Sequence, residues 1–318
     1  MPIRRGVIGT PPPPDPTPPD TPAVRDVPRA SWIAPDGTEV PLTSPGQTGY
    51  RLLKGLRGLG GVPVTLTTDK LPRGGVRVRT VRREAREIDL PVRVTGSTHT
   101  EFIDRKRNLL DWFGQTDELG AGTLVVWRPD GTRRHITCYC AHPGDTDDDG
   151  RLAENLLVTL LCEQPWWYGP DEVSDEALEL ADNGSYLARF PNVSLSKTLG
   201  TGDLDIFNPG QLAAYPVWTI TGPCASATFT HADTGQSFAI DPDYAGGGPL
   251  LLNDTITVYT DPMAIYGPSG QAATGAVNWP GANLFPLRRG HNRIILSLTE
   301  AAVGAGVAWS FAPRYRSA

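Results

Sequence analysis

Glycine and proline punctuate this chain too often for long regular elements to survive. They number 35 and 31 among 318 residues. That is about a fifth of the chain, against a usual combined share near ~12%. Proline lacks the amide donor that a helix interior needs, and glycine loses the most conformational freedom on ordering. A long helix or coiled coil is therefore excluded. The glycines show no three-residue period, which excludes a collagen-like chain as well. Eight Trp, nine Tyr and eight Phe can anchor packed cores, so the whole chain is not a disordered one. Turn formers beside many aromatic and β-branched residues predict short strands joined by turns, and the length suits two domains.

Charge and cysteine content narrow the setting. The net charge is −6, with no global basic excess of the kind a nucleic-acid binder carries. Only Lys54, Lys70, Lys106 and Lys197 are lysines among the 29 basic residues. The rest are arginines, which form fixed bidentate pairs and suit interfaces; a GC-rich genome explains the bias equally well. Four cysteines, Cys138, Cys140, Cys162 and Cys224, are too few for a disulfide scaffold. The N-terminal Met1-Pro2-Ile3-Arg4-Arg5 lacks the apolar core of a signal peptide. No apolar run approaches the ~20 residues that span a bilayer. The expectation is a soluble chain made in a reducing cytoplasm, without a leader of its own and without membrane insertion.

Along the chain, residues 11–22 hold eight prolines in twelve positions, which favours a polyproline II arm. Residues 31–50 read as strand, turn, strand around Asp36-Gly37. Residues 51–61 look like a glycine-punctuated loop, and residues 62–95 like three strands. In the last of these Ile88, Leu90, Val92 and Val94 alternate with Asp89, Pro91 and Arg93, a period of two. Thr98 with Glu101 matches a capping box and predicts a helix near residues 100–113, burying Phe102, Leu109, Trp112 and Phe113. Residues 124–140 predict a hairpin turning at Asp130-Gly131, and residues 156–162 a buried strand. Residues 171–200 lack a clean period and read as a connection with one or two strands. Residues 204–318 return to short strands with turns every 8–12 residues, which is the sandwich signature. The expected division is an arm at 1–30, a β domain at 31–175, a connection at 176–203 and a second sandwich at 204–318. The fold class is mainly β, with two β-sandwich domains and one short α-helix on the first.

Charge is segregated along the same axis. Residues 51–110 carry 14 basic and 6 acidic side chains, a net of +8. Residues 117–182 carry 4 basic and 15 acidic ones, a net of −11. Two solvated faces that merely differ would show the same segregation; the sharper expectation is a heterologous, ring-closing contact between copies. The candidate residues are Arg77, Arg79, Arg82, Arg83 and Arg86 on one side and Asp147, Asp148 and Asp149 on the other. Salt-sensitive oligomerisation is the corresponding expectation.

The ordered set REIDLPVRV, RKRNLLDWF, TLVVWRPDGTRRHITCYC, QPWWYGP, NPGQLAAYPVWTITGP and RRGHNRIIL resembles the distal tail proteins of long-tailed (siphovirus-type) bacteriophages, especially those infecting actinobacteria. The resemblance covers residues 51–316. It implies a virion structural protein of the baseplate, forming a ring, usually a hexamer, at the distal end of the tail. The ring joins the tail tube protein to the tail hub or tail-associated lysin, with the tape measure protein as a further neighbour. DNA passes through its lumen without specific binding, because phosphate gripping would oppose transit. The second domain is implied to be galectin-like or carbohydrate-module-like. Assembly is implied in the host cytoplasm. A competing reading is a carbohydrate-binding adhesion module contacting the host envelope.

Catalytic signatures are absent: the sequence has no G-x-S-x-G, H-E-x-x-H, P-loop or G-x-G-x-x-G in context. No enzyme, cofactor or catalytic residue is expected. His135, Cys138, Cys140 and His142 imitate a zinc set. On a strand, however, His135 faces away from the other three, and zinc thiolates usually converge on a turn. Residues 145–150, D-T-D-D-D-G, begin like a calcium loop, but Leu156 stands where the closing glutamate belongs. Trp166, Trp167 and Tyr168 suit core capping or a subunit contact. Trp218 and Trp309 suit core positions. Trp279, in the loop VNWPGANLF, is the candidate for an exposed contact.

Overall fold

The computed structural model describes residues 28–43, 49–128, 131–145, 151–170, 172–173, 178–179 and 200–318. The proline arm at 11–22, Asp130, Asp147, Asp148, Asp149 and most of the connection lie outside these residues.

Strands dominate, as the turn-former spacing predicts. In the first half they are β1 (Arg29–Ile33), β2 (Glu39–Pro41), β3 (Tyr50–Leu52), β4 (Val64–Lys70), β5 (Val76–Arg83) and β6 (Arg86–Thr95). Helix α1 (His99–Gly114) follows, then β7 (Gly122–Trp127), β8 (Arg133–Asp145), β9 (Ala153–Cys162) and β10 (Trp167–Tyr168). Strand β11 (Glu172–Val173) falls at the end of the range expected for the first domain and β12 (Leu178–Glu179) in the connection. The second half holds β13 (Gly200–Asn208), β14 (Val217–Thr221), β15 (Ser226–His231), β16 (Ser237–Ile240), β17 (Thr255–Thr260), β18 (Met263–Tyr266), β19 (Gly290–Thr299), β20 (Gly306–Phe311) and β21 (Arg314–Tyr315).

The first core lies against a sheet ordered β2-β1-β7-β8-β9-β6-β3. Inward positions of β6 and β9 alternate with period two, burying Ile88, Leu90, Val92, Val94, Leu156, Val158 and Leu160. Helix α1 lays Phe102, Leu109 and Phe113 on that face, and Trp32 packs its ring 4.9 Å from that of Phe113. The helix starts where the capping box predicts. Thr98 Oγ1 accepts from the Glu101 amide at 3.2 Å, and the Glu101 carboxylate accepts from the Ser97 amide at 2.6 Å. Trp112 is half-buried, with its carbonyl accepting from the Trp32 indole at 3.1 Å.

The second half is a β-sandwich of two antiparallel sheets. One is ordered β11-β20-β14-β17-β18, with β12 also on β20, and the other β13-β19-β15-β16. Trp218 is fully buried between them, with Phe229 and Phe238 stacked in the same core. Trp309 packs against this core, half-buried.

The chain then crosses back. Strand β21 pairs with β10 of the first half, and Tyr315 and Ala318 pack on the first core. Arg134 lies over the Tyr315 ring at 3.7 Å and donates to the Ser317 carbonyl. The Ala318 amide donates to Leu59 O at 2.9 Å.

Candidate assembly surfaces

Strands β4 and β5 form a two-stranded sheet that pairs with no other strand among the described residues. An isolated hairpin is marginal in water unless something covers it. Its pairing explains how it is built. The register places Val64 opposite Arg83, Leu66 opposite Val81, Thr68 opposite Val78 and Lys70 opposite Val76. A bulge between these pairs leaves Arg79 without an opposite residue. Without the bulge, Val76 and Val78 would fall on the opposite face from Leu66 and Val81. With it, Val64, Leu66, Val76, Val78 and Val81 share one face. These five are 47–59% exposed. The other face carries Thr65, Thr67, Asp69, Arg77, Thr80 and Arg82. The first face also carries Thr68 and Lys70, with Arg83 at its base, but its five apolar side chains stand uncovered by the described chain.

The five candidate arginines separate in space. Arg77, Arg79 and Arg82 stand exposed on the hairpin. Arg79 pairs with Asp69, and Arg82 lies 3.7 Å from Glu84. Such exposed pairs contribute little to stability. Arg83 lies at the base of the hairpin, its guanidinium 5.2 Å over the Trp166 ring. Arg86 is a correction to the sequence reading. It is 1% exposed and faces the core rather than a neighbour. Its guanidinium donates to Pro165 O at 3.0 Å, Gly60 O at 2.9 Å, Arg316 O at 2.9 Å and Gly58 O. Gly58 makes this cradle possible: its φ is +83° and a Cβ there would meet Glu87 O at 2.0 Å. The signal for Arg86 was in the sequence, since it shares parity with Ile88, Leu90, Val92 and Val94.

The histidine–cysteine set does not converge. Cys138 is buried and His135 stacks on Tyr168 at 5.8 Å. A bulge between Cys140 and His142 shifts the β8–β9 register, turning His142 out to solvent although alternation had placed it beside Cys140. Among the described residues no group of three or more metal-ligating side chains gathers. Asp145 ends β8, and the rest of the calcium-like loop lies outside the described residues. Trp166 and Trp167 are buried, as core capping requires. Trp279 is 48% exposed, its indole donating to Thr274 O at 3.3 Å.

Two clefts meet at Tyr168. One, of about 280 Å³, is lined by Tyr168, Tyr215, Asp261, Ser310 and Arg314. The Arg314 guanidinium lies 5.1 Å over Trp166 and 5.2 Å over Tyr215, and its buried Nε has no hydrogen-bond partner. The other, of about 380 Å³, includes His135, Thr137, Tyr139, Glu163 and Gln164. Burial lifts the Tyr168 phenol above its ordinary pKa, against the nearby Arg314 charge.

No protein-family model matches this sequence, and no curated protein matches it by sequence. Solved structures do match by shape. The Dit protein (gp 19.1) of phage SPP1, a hub protein of an adsorption apparatus, superposes with a TM-score of 0.62 at 12% identity. That match covers 90% of this chain and 98% of the SPP1 protein. Chains of the phage P2 baseplate in its activated conformation, with calcium and with strontium, give TM-scores of 0.53. Their identities are 10% and 11%, again over 90% of this chain and 98% of theirs. The chain has a mainly β fold built from two cores. That fold is the one found in phage hub and baseplate proteins.

Proposed function

We propose that this protein is a structural component of a phage tail tip, a distal tail protein located at the end of the virion's tail. Copies close into a ring, hexameric by the resemblance, joining the tail tube to the hub or tail-associated lysin around a channel for DNA. The tape measure protein is a further neighbour, assembly takes place in the host cytoplasm, and the arginine bias supports an actinobacterial host. The role is geometric, with no enzymatic step. Residues 31–175 supply the ring, residues 204–318 an outward module, and the N-terminal arm clasps a neighbour.

The observation that carries this reading is the hairpin with its five uncovered apolar side chains. That face needs a partner that the described chain does not offer, and a second copy supplies one in a ring-forming subunit. On the hairpin's other face and at its bulge, Arg77, Arg79 and Arg82 meet acidic side chains of a neighbouring copy, with Asp147, Asp148 and Asp149 as the complement. Electron microscopy of the purified chain tests it. A ring with a central pore is expected. L66E alone should give folded monomers, because the site is exposed and the substitution sets no second acid opposite it. Rings that persist in this variant remove the hairpin from the interface, and a monomeric wild type at every salt concentration overturns the assembly itself.

A carbohydrate-binding role is favoured by one observation, the cleft at Tyr168 and Tyr215. Aromatic faces beside Arg314, Asp261 and Ser310 match the chemistry of a sugar ring. A glycan array probed with the full chain distinguishes this adhesion role from a purely structural one. The exposed Trp279 is a further contact for either partner.

A further inference from the structure

Across the centre of the first sheet, one transverse row reads Gly122, Cys138, Cys162, Arg86. Gly122 is opposite Cys138 on β7 and β8, and Cys162 is opposite Arg86 on β9 and β6. The β8–β9 register pairs Tyr139 with Leu161 and Cys140 with Leu160. One step further along it, Cys138 lies opposite Cys162. Their sulfurs stand 2.8 Å apart, and both residues are fully buried. Directly opposed residues of an antiparallel pair have Cα atoms about 4.5–5.5 Å apart, inside the ~4.4–6.8 Å that a disulfide spans.

We propose that Cys138 and Cys162 are an oxidation site that closes into a cross-strand disulfide joining β8 to β9. Three features of the row prepare it. The two sulfurs need almost no movement to bond. Both side chains point to the same side of the sheet, inward. The guanidinium of Arg86, opposite Cys162 in the same row, places a fixed positive charge beside the pair, which works against the rise that burial imposes on the Cys138 thiol.

The oxidant is a small-molecule disulfide of the glutathione class. Cys162 ends its strand and is followed by the exposed Glu163 and Gln164, so fraying of that end presents its sulfur first. The Cys162 thiol loses its proton, and the thiolate attacks the small disulfide, expelling one small thiolate and leaving a mixed disulfide. The Cys138 thiolate then attacks the protein sulfur of that mixed disulfide and expels the second small thiolate. Two protein thiols become one cystine, and one small disulfide becomes two small thiols. Burial pushes the Cys138 thiol well up, so the reaction is slow at neutral pH and accelerates as pH rises. Cys140 is half-buried, and burial lifts its pKa to about 11; it faces no second sulfur across the strand pair. On the tail-tip reading, the staple forms after the particle leaves the reducing host, where disulfides persist. The chemistry itself does not depend on that reading.

The test uses the purified full chain, incubated with oxidised glutathione at pH 7 and pH 9, or with a phosphine reductant. Samples are acid-quenched, alkylated under denaturing conditions and mapped by mass spectrometry. After oxidation, two of the four thiols should resist alkylation, the intact mass should fall by two hydrogens, and one peptide pair should link Cys138 to Cys162. The unfolding midpoint should rise by roughly 5 °C or more, and more slowly at pH 7 than at pH 9. C138S and C162A should each lose the rise. Four alkylated thiols after oxidation, or a link through Cys140, overturns the proposal. This mapping is read on monomer or ring alike, so it fails or succeeds apart from the assembly.

Discussion

Arg86 shows what one buried charge does in this protein. Four carbonyls from three separate segments converge on it, so its loss leaves each without that donor. Arg86→Met should cost about 3 kcal/mol or more in urea unfolding, since buried acceptors keep their desolvation penalty. Arg86→Lys should recover only part of it, because an ammonium has three donors and no planar fork. An R86M protein as stable as the parent would mean the cradle is satisfied some other way. Lys106 and Glu154 give a second case. The ammonium lies 2.8 and 3.0 Å from the two carboxylate oxygens, and the Glu154 side chain is 1% exposed. Lys106→Met should destabilise by about 3 kcal/mol, while the double replacement with Glu154→Leu should recover most of it. A double variant as unstable as the single one would show that the pair contributes more than its own cancellation.

At the scale of elements, helix α1 is the part most fully specified by local chemistry. Thr98→Ala removes the N-cap acceptor and should cost about 1 kcal/mol. The Glu101 carboxylate is held below its ordinary value, first by the Ser97 amide and further by Arg105. A depressed carboxylate stabilises the fold above its unfolded pKa and loses that contribution as pH falls through its folded one. The wild type and E101Q should therefore differ most near neutral pH and converge as pH falls below the ordinary carboxylate range. Equal midpoints for the two at pH 7 would remove Glu101 from the cap. The β4–β5 hairpin is the opposite case. Its strands are legible, but which residues share a face depends on the bulge opposite Thr67 and Thr68.

At the scale of the whole molecule, the last residues belong to the first core although the sequence places them in the second half. Deleting residues 314–318 removes β21, the Arg316 acceptor of Arg86 and the Ser317 acceptor of Arg134. Urea unfolding of that truncation should show a loss of about 3 kcal/mol, felt in the first core. An unchanged midpoint would mean that this return segment merely rests on a complete domain.

By itself the sequence determined the class of fold, the helix and its cap, and most inward positions. Each of these follows from local rules: turn formers limit element length, a period of two sorts strand faces, and a capping box starts a helix. Trp218 and the Ile88–Val94 alternation were readable for that reason, and so in principle was Arg86. Tertiary structure decided what depends on register and on distant partners. One extra residue at a bulge reverses the faces that follow it, which gathers the hairpin's apolar side and sends His142 outward. Pairing across strands distant in sequence sets Cys138 against Cys162, and chain return brings Arg316 to Arg86. None of these is encoded in spacing along the chain, because each is fixed by which strand lies beside which.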